Sequence, residues 1–292
     1  MKKVAVVTDT SGITLEEAKK LGVFVVSMPF TIDGLDYLEG VDLSTEEFYE
    51  KLNSDADIFT SQPSAGMVMD LWDKVLKEYD EIVHIPLSSG LSGSYANACI
   101  YAMDYDGRVQ VVDVQRVSVP QKAAVEDAVY LVGTGKSADE IKEILEKEQS
   151  NSSIYVMVET LKHLKKGGRI TPAAAAIGTV LHIKPILQIH GKQLDAYAKV
   201  RSMAKAKQTI FKALEQEMDR MGVSSPEEVR LQAACSYGYE GREQWIHDLE
   251  EHFPGFQVEY NDLPLNLTCH IGPGGMGAAV TKRLNVEERR IP

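Results

Sequence analysis

Three short polar segments hold the residues best able to do chemistry: Thr60-Ser61-Gln62-Pro63-Ser64, Ser88-Ser89-Gly90-Leu91-Ser92-Gly93-Ser94 and His270-Ile271-Gly272-Pro273-Gly274-Gly275. Each places hydroxyls or an imidazole beside glycine or proline at the end of an apolar run, and two lead into helical patterns. Turns of this kind present unpaired backbone N–H groups and the positive end of a helix dipole, so with the hydroxyls they suit an anion. A carboxylate or phosphate is the expected ligand. The first two segments contain no acid or base, which favours binding over catalysis.

The same residues have a plainer reading and a rival one. Serine and threonine at strand ends and helix starts commonly act as caps, and Ser92 and Ser94 stand where they would cap a helix beginning near Tyr95. A lone histidine such as His270 is more often structural than ligand-binding. The rival is a serine hydrolase or acyltransferase. Gly90-Leu91-Ser92-Gly93-Ser94 approximates a G-x-S-x-G nucleophile turn, with His270 as base and Asp113 or Asp262 as orienter, although Ser94 stands where that motif has glycine. Asp9, after an apolar strand, also fits phosphoryl chemistry, with little support from its neighbours.

Composition narrows the classes. At 292 residues the chain is long enough for one large or two medium domains. Its 44% hydrophobic and 25% charged content is that of a soluble globular protein. Net charge of −12 argues against nucleic acid as the main partner. The opening Met1-Lys2-Lys3-Val4-Ala5-Val6-Val7 is too short an apolar run for a signal peptide or a membrane span, so stable membrane insertion is not expected. Cys99, Cys235 and Cys269 lack metal-ligand spacing and read as buried thiols of a cytoplasmic protein. No metal or cofactor signature is present. Charge is uneven, however: between Leu161 and Lys207 ten lysines and arginines face one acid, Asp195. That stretch is either a solvated basic face or a docking surface for an acidic or phosphate-bearing partner.

The elements that must position these groups alternate between strand and helix. Val4–Thr8 reads as a strand, Thr14–Leu21 as a capped helix, Val23–Ile32 as an extended run and Ser44-Thr45-Glu46-Glu47 as a helix start. Ile82–Pro86 and Val109–Val112 are strands flanking a helix over Ser92–Met103. Such alternation predicts a parallel, doubly wound sheet. In the second half, Ala138–Gln149 reads as a helix and Ser150-Asn151-Ser152-Ser153 as the linker, giving an N-terminal α/β domain over 1–151 and a C-terminal mixed-sheet α/β domain over 152–292. Beyond it come a strand at Ile154–Val158, a small-residue helix over Pro172–Leu181, a strand at Lys184–Ile189 turning at His190-Gly191-Lys192, and helices over Met203–Met221 and Gly241–His252. Further strands are expected at Leu231–Ala234, Val258–Tyr260 and Leu267–His270.

Taken together, the segments resemble the DegV family of fatty-acid-binding proteins that serve bacterial fatty acid kinase. The resemblance runs nearly end to end, through Val7-Thr8-Asp9-Thr10-Ser11, the first two polar segments, Leu164-Lys165-Lys166-Gly167-Gly168-Arg169-Ile170, Ile183-Lys184-Pro185-Ile186-Leu187, and His270-Ile271-Gly272-Pro273-Gly274, in the family order. It implies two α/β domains enclosing one long-chain fatty acid in a tunnel between them, and no catalysis by the carrier itself. Its carboxylate would be held by Thr60, Ser92 and His270, with Ser61 beside them. Arg169 and Arg201 match positions associated with the carboxyl group or with docking of the kinase, which makes the acyl phosphate for phospholipid synthesis. No cofactor beyond the bound fatty acid is implied.

One stretch departs from the family pattern. After Val111-Val112-Asp113 the family has a serine and then a glycine-rich helix start, whereas this chain has Val114-Gln115-Arg116-Val117-Ser118-Val119-Pro120-Gln121-Lys122. Bulkier and charged residues there are expected to reshape the tail pocket and alter acyl-chain preference.

Overall fold

The computed structural model describes residues 2–54, 56–171, 183–190 and 193–284. In chain order, the first half runs β1 (Val4–Asp9), α1 (Leu15–Leu21), β2 (Phe24–Val26), β3 (Pro29–Ile32), β4 (Leu35–Leu38), α2 (Thr45–Asn53), β5 (Ile58–Thr60) and α3 (Ala65–Val75). It continues with β6 (Glu81–Ile85), α4 (Ser94–Ala102), β7 (Val109–Val111), α5 (Val119–Gly133) and α6 (Ala138–Lys147). The second half holds β8 (Ser152–Met157), α7 (Lys162–Gly167), β9 (Lys184–His190), β10 (Gln193–Val200) and α8 (Met203–Arg220). It ends with β11 (Val229–Cys235), α9 (Arg242–His252), β12 (Val258–Asp262), α10 (Leu265–Ile271) and β13 (Met276–Lys282).

Among the described residues these strands form three sheets. Strands β2-β1-β6-β7 form a wholly parallel sheet. Every residue of β1 and β6 is buried, as expected for parallel strands covered on both faces. Strands β4-β3-β5 form a small antiparallel sheet. Six strands in the order β10-β9-β8-β13-β11-β12 form a mixed sheet, antiparallel except for β11 with β12. The chain is therefore α/β, with a parallel sheet in its N-terminal part and a mixed one in its C-terminal part.

Local signals explain many boundaries. Thr14, Ser44 and Ser137 each close a capping box with a glutamate three residues on, and Gly22 ends α1 with a φ of 69°. Helix α5 is buried nearly all round, through Ala123, Ala124, Val125, Ala128 and Leu131, because it packs on β1 and β6 on one side and on β11, β12 and β13 on the other. It joins the two large sheets.

The mixed sheet has two unlike faces. One carries Tyr155, Met157, Leu231 and Val280, which α8 and α9 cover with Ile210, Leu214 and Trp245. The register places Ile154, Val156, Ile189, Gln232, Ala234, Gly277 and Ala279 on the other face, since alternate residues point the same way. Small side chains in its centre leave space above the sheet.

Four expectations need correction. Leu267–His270 is not a strand but the body of α10, which starts after Pro264 and carries His270 in its last turn. Ser152 and Ser153 are not linker but the buried start of β8. Their hydroxyls are satisfied by Thr281 at 2.9 Å and by His190 and Glu217 at 2.9 and 2.7 Å. The run over Val23–Ile32 splits into β2 and β3, and β13 was not anticipated at all. Cys99 is half-buried, while Cys235 and Cys269 are buried. The expected helix over Pro172–Leu181 and the turn at Gly191-Lys192 lie outside the described residues.

Candidate functional site

A cavity whose empty space, including the open solvent at its mouth, is about 970 Å³ lies above the small-residue face of the mixed sheet. Its walls are mainly apolar: Ile154, Val156, Ile189 and Leu194 from the sheet, Leu164 from α7, and Met28, Leu87, Leu91, Val117 and Val119 from the N-terminal half. Several of these also form one continuous apolar cluster.

Residues of the three polar segments, together with Arg169, all reach this lining. Thr60, Ser61 and Gln62 leave the end of β5, Ser92 lies in the turn before α4, His270 ends α10, and Arg169 follows α7. The structure thus brings Thr60, Ser61, Ser92, Arg169 and His270 to one cavity. Thr60 Oγ1 and His270 Nε2 are 2.8 Å apart. Ser92 Oγ lies 2.8 Å from Ser94 Oγ and accepts the Ser94 N–H at 3.1 Å, so its plainer role as a local cap is real. The rim is open, with Ser61, Gln62 and Arg169 exposed.

Glycines make this convergence possible. A β-carbon on Gly93 would stand 2.6 Å from Gln62 Oε1, so the first two polar segments meet there. Gly272, at a φ of 79°, leaves room for the His163 ring.

Burial holds His270 in its neutral form. Its pKa is pushed down to about 4, chiefly by desolvation, with the positive charges of Arg169 and His163 acting in the same direction. A neutral ring offers one donor and one acceptor nitrogen. Arg169 donates from Nη1 to the Gly167 carbonyl at 2.6 Å, which keeps its guanidinium at the rim.

Arg201 is not part of the cavity lining. It is exposed just beyond the end of β10, where Val200 pairs with Lys184. Lys184 is bridged to Glu159 at 2.7 Å, and Glu159 packs against Gly274. Arg201 therefore lies at the same end of the sheet as the third polar segment. Within the basic stretch, Lys166 pairs with Asp57, Lys184 with Glu159 and Lys207 with Asp248, whereas Lys165, Lys199, Arg201 and Lys205 are exposed.

The hydrolase arrangement does not assemble. His270 Nε2 bonds Thr60 and not Ser92. Asp113 accepts from Ser89 Oγ at 2.5 Å, and Asp262 from the Tyr260 hydroxyl at 2.6 Å. Asp9 is buried and accepts the backbone N–H groups of Ser11 and Leu87 at 3.0 and 2.6 Å, so it fastens the loop after β6. Among the described residues no cluster of three or more His, Cys, Asp or Glu is placed to hold a metal, and no helix is long and apolar enough to cross a membrane.

Sequence reasoning missed Ser118, Gln232 and Asn266, polar residues deep in the cavity wall. Asn266 was legible only on a helix, where it falls four residues before His270 and on the same face. The departing stretch does reach the cavity, through Val117, Ser118, Val119 and Pro120, while Arg116 turns away and donates to the Glu148 carbonyl at 2.8 Å.

Comparison with known proteins agrees with this architecture. A family model described as "Uncharacterised protein, DegV family" matches residues 3–283. A DegV domain-containing protein of Listeria innocua is 31% identical over 280 residues, covering 94% of this chain and 97% of the relative. A solved structure of a fatty-acid-binding DegV family protein from Thermus thermophilus superposes with a TM-score of 0.84 at 28% identity, covering 96% of this chain and all of that one. DegV of Bacillus subtilis, described as a fatty acid binding protein, superposes with a TM-score of 0.84 at 26% identity, covering 97% and 100%. With the family model spanning nearly its whole length, this chain belongs to the DegV family.

Proposed function

We propose that this protein binds one long-chain fatty acid in the cavity and presents its carboxylate to a separate fatty acid kinase, which forms the acyl phosphate. The observation that carries the reading is the meeting of three polar segments in one mainly apolar cavity. Residues 1–151 and 152–292 would act as two domains supplying opposite walls, in a cytoplasmic protein without catalytic residues of its own.

Energetics divide the work between tail and head group. At about 0.8 kcal/mol per buried methylene, a chain of roughly fourteen contributes about 11 kcal/mol before association costs. Hydrogen bonds to a charged group add about 1.5–3 kcal/mol each. Tail burial dominates affinity, and the hydroxyls and imidazole fix orientation. With the proton of His270 on Nε2, the ring donates to Thr60 and leaves the Thr60 hydroxyl hydrogen for the carboxylate. Ser61 and Ser92 stand beside it, and Arg169 at the rim supplies positive charge.

The test is direct. Lipid extracted from the purified protein is weighed by mass spectrometry, and ATP-dependent acyl-phosphate formation is followed with kinase and carrier together and apart. A stoichiometric fatty acid, and turnover that needs both proteins, are expected. Absence of bound acid after expression in a fatty-acid-replete host, with no binding of added acid, would sink the reading.

A further inference from the structure

Gln232 and Val119 both line the cavity, one from β11 of the mixed sheet and the other from the first turn of α5. The Gln232 side-chain amide donates to the Val119 carbonyl at 3.2 Å. Two walls joined by a hydrogen bond leave no room for a hydrocarbon chain between them, so the cavity closes at this contact. The stretch that departs from the family pattern, over Val114–Lys122, thus supplies one side of the closure.

The closure lies far from the third polar segment. Ser236, just past β11, donates from Oγ to the carbonyl of Gly272, two residues from His270, at 2.8 Å. Gln232 is four residues back along the chain, about 13 Å away in strand geometry. Strand pairing aligns Gln232 with Ala279, Ile154 and Ile189, which line the cavity beside it. The next residues on that face are Arg230, Thr281 and Ser152, and none of them is among the described residues of the lining.

This end of the cavity is held by a buried hydrogen-bond network. Gln232 Oε1 accepts from the Thr281 hydroxyl at 2.8 Å, and the Thr281 oxygen lies 2.9 Å from Ser152 Oγ. Gln232 Nε2 also donates to Glu259 at 3.1 Å, and Glu259 accepts from Arg230, which reaches Glu126 and Asp127 on α5. An apolar side chain yields to a longer tail by changing rotamer. Moving Gln232 instead leaves buried polar groups without partners, so the wall resists.

We infer, on the fatty-acid reading, that the methyl end of the acyl chain stops at the Gln232–Val119 contact and that Gln232 sets the longest chain the protein accepts. The carboxylate at His270 fixes one end of the ligand, and a wall that does not yield fixes the other. The competing role for Gln232 is a joint between the two halves that no ligand meets.

The experiment titrates delipidated protein with saturated fatty acids lengthened one carbon at a time from lauric acid upward. Wild-type affinity is expected to rise about fourfold per methylene and then to fall past one definite length. Gln232→Ala should move that maximum to longer acids, so that an acid two carbons past the wild-type maximum binds the variant about tenfold tighter than it binds wild type. Acids shorter than the wild-type maximum should bind both alike. Gln232→Leu, which refills most of the space, should restore the wild-type maximum. An unmoved maximum in folded Gln232→Ala, or a maximum moved as far by leucine as by alanine, would overturn the inference and leave the fatty-acid reading standing. If the folded wild type binds none of the acids, the fatty-acid reading falls and this inference with it. Should Gln232→Ala fail to fold, Gln232→Asn decides the matter: it keeps an amide on a side chain one carbon shorter, so a smaller shift in the same direction is expected and no shift overturns the inference.

Discussion

The imidazole of His270 rests directly on the backbone of Gly167: a β-carbon there would stand 2.1 Å from Nδ1. The glycine pair of Leu164-Lys165-Lys166-Gly167-Gly168-Arg169 thus shapes the seat of a histidine more than a hundred residues away. Gly167→Ala sets two effects against each other. Alanine favours the helix by about 1 kcal/mol over glycine, but it must push the ring away and break the 2.8 Å contact with Thr60. Thermal stability should stay close to wild type while fatty-acid affinity falls about tenfold or more. Calorimetry beside a melting curve reads both, and wild-type affinity would show that the seat of His270 does not matter.

Ser92 offers a complementary test of the head group. Among the described residues its hydroxyl is held only by Ser94, through Oγ and N–H, so its removal disturbs little else. Ser92→Ala should weaken binding or presentation of the acid by about 1.5–3 kcal/mol with a smaller effect on folding. For the wild type, the methyl ester of the same acid should bind markedly worse than the acid itself, because an ester carries no charge for the hydroxyls to stabilise. Equal affinity for acid and ester would remove the carboxylate from this end of the cavity.

Much of this site was legible because its determinants are local. Thr14, Ser44 and the glycines at Gly22 and Gly168 mark helix ends through contacts within a few residues. The long helices α8 and α9 followed from periodicity. Helix α10 was illegible for the opposite reason. Leu265-Asn266-Leu267-Thr268 alternates apolar and polar like a strand, and what holds its first turn is the Glu39 carboxylate accepting the Leu265 N–H from far along the chain. Strand β13 hid because Gly277, Ala278 and Ala279 give no alternation, and Ser152-Ser153 passed for linker because their partners come from β13, β9 and α8. Small residues that make a cavity look like weak structure until the opposite wall is known.

Glu39 yields a prediction in pH. It is buried and accepts from Thr10 and Leu265, with Asp9 nearby, and burial pushes its carboxyl up to about 8, against the donors that favour its charge. A group raised in the folded state binds more protons there than when unfolded. Its stabilisation is therefore complete below about 4.5 and is lost as pH climbs through 8, at roughly 1.4 kcal/mol per pH unit between those values as an upper bound. His270 and His84, pushed down to about 4 and about 3 by burial, act oppositely and cost stability as pH falls below 6.5. Glu39→Gln should flatten the decline in melting temperature between about pH 6.5 and 8, the part of its window that the two histidines do not share. An unchanged slope over that interval in the variant would mean that another group titrates.

Arg201 separates docking from lipid binding. It is exposed, lies outside the cavity lining, and stands at the sheet end shared with the third polar segment, near the exposed Lys199 and Lys205. A chain of net charge −12 that gathers exposed cations there has a surface suited to an acidic or phosphate-bearing partner. Exposed charges are screened over about 8–10 Å at physiological ionic strength, so such binding weakens as salt rises. Arg201→Ala should slow kinase-dependent phosphorylation of the bound acid several-fold at low salt, by a smaller factor at high salt, with lipid affinity nearly unchanged. Arg169 is a poorer probe, because it lines the cavity rim and donates to Gly167 beside His270. Coupled turnover and direct lipid titration on the same preparation decide between the roles. Lost lipid affinity in Arg201→Ala would move this arginine to the ligand, and wild-type turnover at both salt concentrations would remove it from the docking surface.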